Sequence, residues 1–274
     1  ESVSQEHGIE AVELETRLEE MRSRMLEARS QRVAPGLDDK VLTSWNGLAI
    51  DAFAEASRVL GDDHYREIAE RNAGFVRDHL RTEQRLLHSY LNGTAKIDGM
   101  LEDYAYYGLG LIELFRASGD LDLLHWAVEL LEEIITRFQD PEQGGFYETP
   151  SDGEKLLLRQ QPFFDGPTPS GNGAAALLSI WLARYLDRED WERIARQSIE
   201  KVVGKLIDVP SGLGSMGQAM ELLVSPRREV AIVGDPRMRV DMERELGKYF
   251  LPSTAIVPST NGQGLPVLEG RDAG

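Results

Sequence analysis

The chain has 274 residues, of which 41% are hydrophobic, so it can bury one large core or two modest ones. Its 47 acidic and 30 basic residues give a formal charge of −17, which repels phosphate backbones and anionic lipid, so neither nucleic acid nor membrane partners are expected. Cysteine is absent, which excludes disulfides, thiolate metal ligands and a cysteine nucleophile. The polar, acidic N-terminus lacks the pattern of a signal peptide and predicts a cytoplasmic location.

Seven segments carry apolar residues at helical spacing. In chain order they span approximately residues 9–31, 44–60, 62–80, 102–118, 120–138, 170–186 and 188–206. The chain starts almost directly in a charged helix and stops at EGRDAG, which we interpret as the ends of a fragment.

Three of these segments begin alike, with GDDHYREIA, GDLDLLHWA and DREDWERIA. They start at Gly61, Gly119 and Asp187, so the repeats are 58 and 68 residues apart. A period of this size fits a helical hairpin with a long connecting loop. The sequence therefore predicts a repeated hairpin unit.

The helices that precede these starts are rich in Ala, Gly, Leu and Ile, whereas those that follow carry a charged face. This alternation predicts inner and outer helices, and hence a mainly α fold: a partial toroid of helical hairpins. An ordinary helical bundle is the alternative. Because all inner helices would run in one direction, their N-termini and the preceding loops would meet at one mouth of the ring, where binding groups are expected.

The first mouth segment contains Asp38, Asp39, Trp45 and Asn46. Carboxylates and amides bind hydroxyl pairs and an indole stacks on a pyranose, so this set suits sugar recognition. The competing interpretation is structural: an aspartate caps a turn, Ser44 is an N-cap and Trp45 is core.

The second and third mouth segments contain Glu102, Asp103 and Tyr104, and then Asp165 and Asn172. Acids in a first helical turn are also favoured by the helix dipole, and Asp165 and Asn172 either face the lumen or cap the next helix. The functional interpretation gives Glu102 and Asp103 acid–base roles and the other three substrate contacts.

Paired carboxylates across a pocket would suit glycoside cleavage, and Asp39 with Asp103 or Glu102 is the expected catalytic pair. No two histidines have metal-ligand spacing, so no metal and no cofactor are expected. Among the five histidines, only His88 is near the predicted mouth, and a functional role is not favoured for it. RLLHSYLNGTAKIDG and GGFYETP are each expected to form a β-hairpin.

The tail contains two short β-branched runs, REVAIVGDP and STAIVPS, with RMRVDMERELGKYF between them. This order predicts strand, helix and strand. The expected domains are the toroid segment, 1–225, and a small α/β tail, 226–274.

Five ordered motifs carry a resemblance to a known family: RVAPGLDDKVLTSWNGLAIDAFAEA, LEDYAYYGLGLIELF, GGFYETP, DGPTPSGNG and the helix that follows the last of these. Over approximately residues 11–235, the chain resembles the spermatogenesis-associated protein 20 family. The resemblance implies a thioredoxin-like domain followed by an (α/α)6 toroid similar to N-acylglucosamine 2-epimerase and six-hairpin carbohydrate enzymes.

The chain departs from that pattern in three respects. The thioredoxin-like domain and the cysteine-bearing end are absent, and the helices make half to two-thirds of a twelve-helix ring, which is either open or completed by a second copy. Related epimerases use histidines as acid–base groups, and the sequence offers no clear pair. Two hypotheses follow: a carbohydrate isomerase or hydrolase domain that takes a small sugar, or a non-catalytic scaffold for the attached thioredoxin-like domain.

Overall fold

A computed structural model describes residues 2–83 and 85–269, which form two compact units. The first unit, Glu1–Asp39, contains helices α1 (Ser2–His7) and α2 (Ala11–Ser30). Helix α2 has no buried residue and carries an exposed i,i+4 ion pair in which Arg17 approaches Glu13 at 2.5 Å. Such a pair contributes only about 0.3–0.5 kcal/mol, so α2 is a solvated helix.

The second unit, from Lys40 onward, is built on helical hairpins. The inner helix of each pair comes first and the outer helix second: α3 (Thr43–Leu60) with α4 (Asp63–His79), α5 (Leu101–Ser118) with α6 (Leu121–Phe138), and α7 (Gly171–Leu186) with α8 (Glu189–Asp208). A further helix, α9 (Gly214–Val224), packs beside α7. The predicted spans agree with these helices to within two residues at either end.

The repeated sequence signature forms the turn between inner and outer helix. Gly61, Gly119 and Asp187 each follow the inner helix in the left-handed conformation, with φ of 66°, 76° and 52°. In the first two turns, Asp62 and Asp120 then cap the outer helix by accepting a hydrogen bond from a backbone N–H two residues later. Left-handed C-caps and aspartate N-caps are favoured for these positions, so the signature encodes the turn.

The inner helices lie side by side and run parallel. Gly47 of α3 touches the α5 backbone so closely that a Cβ would stand 2.6 Å from the carbonyl carbon of Tyr106. Gly173 of α7 is equally close to α9, where a Cβ would lie 2.7 Å from that of Ser215. Glycine is needed at such approaches, and they hold the inner helices in an arc with α4, α6 and α8 outside.

The helices are accompanied by short strands. Strands β1 (Val41–Leu42), β2 (Leu87–Leu91) and β3 (Thr94–Asp98) form an antiparallel sheet, which confirms the hairpin expected at residues 85–99. The hairpin expected at GGFYETP is wrong: among the described residues, this stretch pairs only through a single bridge between Gln139 and Phe146. Its chain is instead held by the turn around Asp140, whose side chain accepts from the N–H groups of Glu142 and Gln143.

The tail has the expected strand–helix–strand order. Strand β4 (Arg228–Val233) and strand β5 (Thr254–Ser259) are parallel, with α10 (Pro236–Leu246) between them in sequence. Arg184 of α7 donates to the carbonyls of Ser225 and Ser253, both at 3.0 Å, and so fixes the tail to the helices. A domain boundary at residue 225 stays a prediction.

The architecture of the second unit is mainly α, a partial α/α toroid with small sheets, as the sequence predicts. Over the described ranges, no helix combines the length and apolarity needed to cross a membrane.

Candidate functional site

Each inner helix presents one stripe of side chains to a common lumen. Most of the side chains with which α3, α5 and α7 line it recur at intervals of 58 residues between α3 and α5, and 68 residues between α5 and α7. The stripes are Leu48, Asp51, Glu55 and Arg58 on α3; Tyr106, Leu109, Glu113 and Arg116 on α5; and Ala174, Leu177 and Trp181 on α7. The intervals equal the spacings of the sequence repeat, so the repeat places equivalent positions in the same layer.

The stripes enclose a cavity of about 700 Å³, within the range typical of small-molecule sites. Helix α9 adds Gln218 and Glu221 to its wall, and the segment 247–252 of the tail also lines it. The cavity therefore has polar groups on an otherwise largely apolar wall.

The layer farthest from the inner-helix N-termini is an ion-pair network. Arg58 and Arg116 both bind Glu113, and the Arg116 guanidinium lies 4.0 Å from the centre of the Trp181 ring. Burial would raise the pKa of Glu113, but the two arginines outweigh it and hold this pKa below its usual range. Tyr185 accepts a further hydrogen bond from Arg116 at 2.8 Å. This network keeps Glu113 ionised and gives it a structural role.

Asp51 differs from Glu113, which lies near it in the same cavity. Among the described residues, its carboxyl group has no hydrogen-bond or ion-pair partner. Burial, and then the negative charge of Glu113, raise its pKa to about 7. Asp51 is thus a lumen carboxyl that gains and loses its proton near neutral pH.

The N-terminal ends of the inner helices hold a second cluster of ionisable side chains. Asp103 is fully buried and accepts hydrogen bonds from the backbone N–H of Ser44 at 2.9 Å and of Met100 at 2.8 Å. Its other contact is the Nδ1 of His88, at 2.8 Å. The β2 strand and two inner-helix N-termini thereby converge on one carboxylate.

The Asp103 contact orients His88 and leaves Nε2 as the ring nitrogen not engaged by the carboxylate. The hydrogen bond to Asp103 raises the pKa of His88 above its ordinary value, and 24% of its side chain is exposed. Burial, and then the charge of Asp103, raise the pKa of Glu102. Glu102 is half-buried and lies one turn before Tyr106 on the lumen stripe of α5. Carboxylate-oriented histidines beside a second acid are typical of proton-transfer sites.

The other predicted mouth residues of the first segment have different surroundings. Trp45 is 63% exposed, so the structural interpretation that placed it in the core is wrong. Asn46 is a linking residue: it donates to the carbonyl of Leu42 at 2.7 Å and accepts from Asn72 at 2.7 Å. Asp38 and Asp39 are exposed and end the first unit, and their roles stay predictions.

Two further residues predicted to contact the substrate, Tyr104 and Asn172, use their polar groups within the protein itself. The Tyr104 hydroxyl is bonded to the Leu86 N–H and to Arg137, which places it on the outer side of α5. Asn172 is fully buried, and its amide bonds the backbone of Phe146. Their polar groups are satisfied internally, so both have a structural role rather than the expected substrate contact.

Asp165 also acts as a structural ligand of the backbone. It accepts from the N–H of Ser170 at 2.7 Å and of Ser215 at 2.8 Å, joining the starts of α7 and α9. These bonds outweigh burial and lower the pKa of Asp165. Seven of the nine predicted site residues lie in or beside the first turns of the inner helices, and the exceptions are Asp38 and Asp39 of the first unit. The seven are Trp45, Asn46, Glu102, Asp103, Tyr104, Asp165 and Asn172.

Sequence reasoning missed Asp51 and undervalued His88. Asp51 sits in the middle of a predicted inner helix, and the repeat register was the signal that could have placed it on the lumen stripe. His88 lay in the predicted hairpin, but its pairing with Asp103 is a long-range contact without a sequence motif. In the part of the chain that the structure describes, no group of three or more His, Cys, Asp or Glu residues could hold a metal.

These features define a partial toroid of helical hairpins, the fold also found in carbohydrate enzymes. The described fold resembles the structures of cellobiose 2-epimerase from Bacillus thermoamylovorans and Spirochaeta thermophila. Both have a TM-score of 0.50, at 18% and 19% identity; each match covers 60% of this chain and 44% or 43% of the epimerase. At this identity the likeness establishes the fold alone.

The sequence is homologous to spermatogenesis-associated protein 20 of Homo sapiens, with 28% identity over 239 residues. The match covers 83% of this chain and 30% of the human protein, so the chain spans less than a third of that relative's length. No family model matches the chain.

Proposed function

We propose that this chain is a sugar isomerase or epimerase domain that moves protons with His88 and Glu102 at the mouth of the lumen. The observation that carries the proposal is the contact of His88 with buried Asp103, next to a second carboxyl group of raised pKa. Asp103 is a positioning residue, since it is fully buried and acts through His88.

The contacts of the two groups assign the roles. The hydrogen bond to Asp103 favours the protonated imidazole of His88, which serves as the acid, and the ionised form of Glu102 serves as the base. Glu102 then removes the proton on the carbon beside the carbonyl of an open-chain sugar, while His88 protonates the carbonyl oxygen, giving an enediol. If Glu102 returns its proton to the former carbonyl carbon while the hydroxyl on the neighbouring carbon gives its proton to His88, the sugar is isomerised. If the proton returns to the other face of the first carbon while His88 takes back the proton that it donated, the sugar is epimerised. General acid–base groups contribute about 10²–10⁴-fold to such steps.

The arrangement favours proton transfer over hydrolysis. A glycosidase needs two carboxyl groups that face the scissile bond, and Asp103 is buried against three donors.

The direct test incubates the chain with aldoses and ketoses in D₂O and follows deuterium incorporation at carbon by NMR. We expect incorporation by the unaltered chain, and a loss of about 10²-fold or more in Glu102→Gln and in His88→Asn. Glu67→Gln and His64→Asn, on the exposed face of α4, are the matched controls and should retain the full rate.

The pH profile provides a second readout. The rate should rise as Glu102 ionises and fall as His88 loses its proton, with both limbs displaced above the ordinary pKa values of 4.5 and 6.5. Absence of exchange with every sugar, or equal rates in the two variants and their controls, would refute the proposal.

The second candidate is a non-catalytic scaffold for an attached thioredoxin-like domain or for a second copy of the chain. One observation favours it: Leu156, Leu157 and Leu158 are consecutive and exposed on the loop before α7. Exposed apolar patches mark interaction surfaces. A partner held there would be released by Leu157→Ser, which should leave deuterium exchange unchanged.

A further inference from the structure

Asp51 is a lumen carboxyl group that the proposed proton transfer does not use. Asp51 lies two turns into α3, on the stripe that faces the cavity, whereas Glu102 lies at the start of α5. With a rise of about 1.5 Å per residue, Asp51 is roughly 10 Å along the helix from Ser44, which is in the mouth cluster. The two sites therefore lie at different depths along the inner helices.

The neighbouring charged groups are paired with one another, which explains why the Asp51 carboxyl group has no partner among the described residues. Glu113 binds both Arg58 and Arg116, and Arg116 is further engaged by the Tyr185 hydroxyl and stacked on Trp181. Both arginines that contribute a favourable charge at Asp51 are thus committed to Glu113. Among the described residues, no donor is left bonded to the Asp51 carboxyl.

The other charged groups on the cavity wall add to the negative potential. Glu55 lies one turn after Asp51 on the same helix, and Glu221 enters from α9. The tail contributes Lys248, whose ammonium group is already paired with Glu245 at 2.5 Å. The lumen therefore has an excess of negative charge with no cation assigned to Asp51.

We propose that Asp51 is a ligand-binding residue of the lumen that selects polyhydroxylated ligands carrying an ammonium group, such as amino sugars, and disfavours uronic acids and sugar phosphates. This inference rests on the proposed function for the sugar-like nature of the ligand. A carboxylate that faces a cavity without a protein partner gains most from a ligand that supplies both charge and hydrogen-bond donors. The apolar wall formed by Leu109 and Leu177 would cover the rest of the ligand.

The test compares three ligands that differ at one carbon: glucose, 6-amino-6-deoxyglucose and glucuronic acid, together with their manno and galacto counterparts. Calorimetric titration at about pH 8 should give at least about tenfold tighter binding of the amine than of the neutral sugar, with the acid weakest. In Asp51→Asn this preference should shrink to less than about threefold. Asp78→Asn, an exposed aspartate of α4, is the matched control and should keep it.

The pH dependence of ligand binding gives an independent check. The alkylamine stays protonated from about pH 6 to about pH 8, whereas Asp51 ionises within that range because its pKa is about 7. Binding of the amine should therefore tighten severalfold with rising pH in the unaltered chain and stay flat in Asp51→Asn. The groups that face Asp51 and set this response are Glu55, Arg58, Glu113 and Arg116.

The outcomes separate the two proposals. If the neutral, cationic and anionic sugars bind equally, or the preference survives in Asp51→Asn, the inference about Asp51 is overturned while deuterium exchange can still proceed. If exchange is absent but the amine preference depends on Asp51, the lumen is a binding site and the catalytic proposal alone fails. If no sugar binds and none exchanges, both fail.

Discussion

The mouth and the deeper part of the lumen give their carboxyl groups opposite surroundings. At the N-terminal ends of the inner helices, Asp103 and Asp165 accept several hydrogen bonds from backbone N–H groups and hold adjacent helices together. Deeper in the lumen, Asp51 has no such bonds, and its pKa is raised to about 7. Polar residues beside helix N-termini are readily used for structure, so a free carboxyl group away from them is the stronger indication of ligand binding.

The largest effect expected from this contrast is the loss of stability in Asp103→Ala. The substitution leaves the N–H groups of Ser44 and Met100 without their acceptor and His88 without its partner. We expect the free energy of unfolding to fall by about 3–5 kcal/mol, measured by urea denaturation. Asp78→Ala, on the exposed face of α4, should change it by no more than about 0.5 kcal/mol. A loss below about 1 kcal/mol in Asp103→Ala would show that the mouth is not held by this carboxylate.

The second prediction has the opposite sign and depends on pH. The pKa of Asp51 rises from its ordinary value of 3.8 to about 7 in the folded chain, so the folded state binds its proton more tightly. Its contribution to stability therefore decreases as pH rises from about 4 to about 7. Asp51→Asn should raise the free energy of unfolding by about 2–4 kcal/mol at pH 8 relative to its effect at pH 4.

Urea denaturation of Asp51→Asn and of the unaltered chain at both pH values measures this difference. The pH-dependent contributions of other residues, such as His88, to the free energy of unfolding are common to both chains and cancel. If the effect is the same at both pH values, folding does not raise the pKa of Asp51, and the contrast between the mouth and the deeper lumen is lost.

The smallest expected change in stability concerns Trp45, at the start of α3. Because 63% of its surface is exposed, Trp45→Ala should alter the free energy of unfolding by no more than about 0.5 kcal/mol. If the indole stacks on a sugar at the mouth, the same substitution should weaken sugar binding severalfold in calorimetric titration. Unchanged binding would remove Trp45 from the predicted substrate contacts and confine recognition to the lumen.

The sequence was sufficient for most of the fold because helical periodicity and the hairpin signature are local. The turns at Gly61 and Gly119 use residues whose preferences are visible in the sequence, and the helix spans follow from them. GGFYETP was misjudged because its glycines and aromatic residues resemble a hairpin, whereas its conformation depends on the side chains of Asp140 and Asn172.

The site was harder to predict, since a polar residue can be recruited by distant backbone groups. Tyr104 and Asn172 lie at the expected end of the helices, but their side chains accept hydrogen bonds from the backbone N–H groups of Leu86 and Phe146. Composition cannot reveal such long-range partners. The cavity around Asp51 likewise depends on three other helices and on the tail.

The constant offsets between lumen positions have a consequence for how such a chain diverges. The second interval exceeds the first by ten residues, yet Glu113 and Trp181 occupy the same layer. The extra length is absorbed by the loop between α6 and α7, outside the wall. A change of loop length therefore leaves the register of the wall intact, whereas an exchange of Glu113 would also remove the partner of Arg58 on the neighbouring helix.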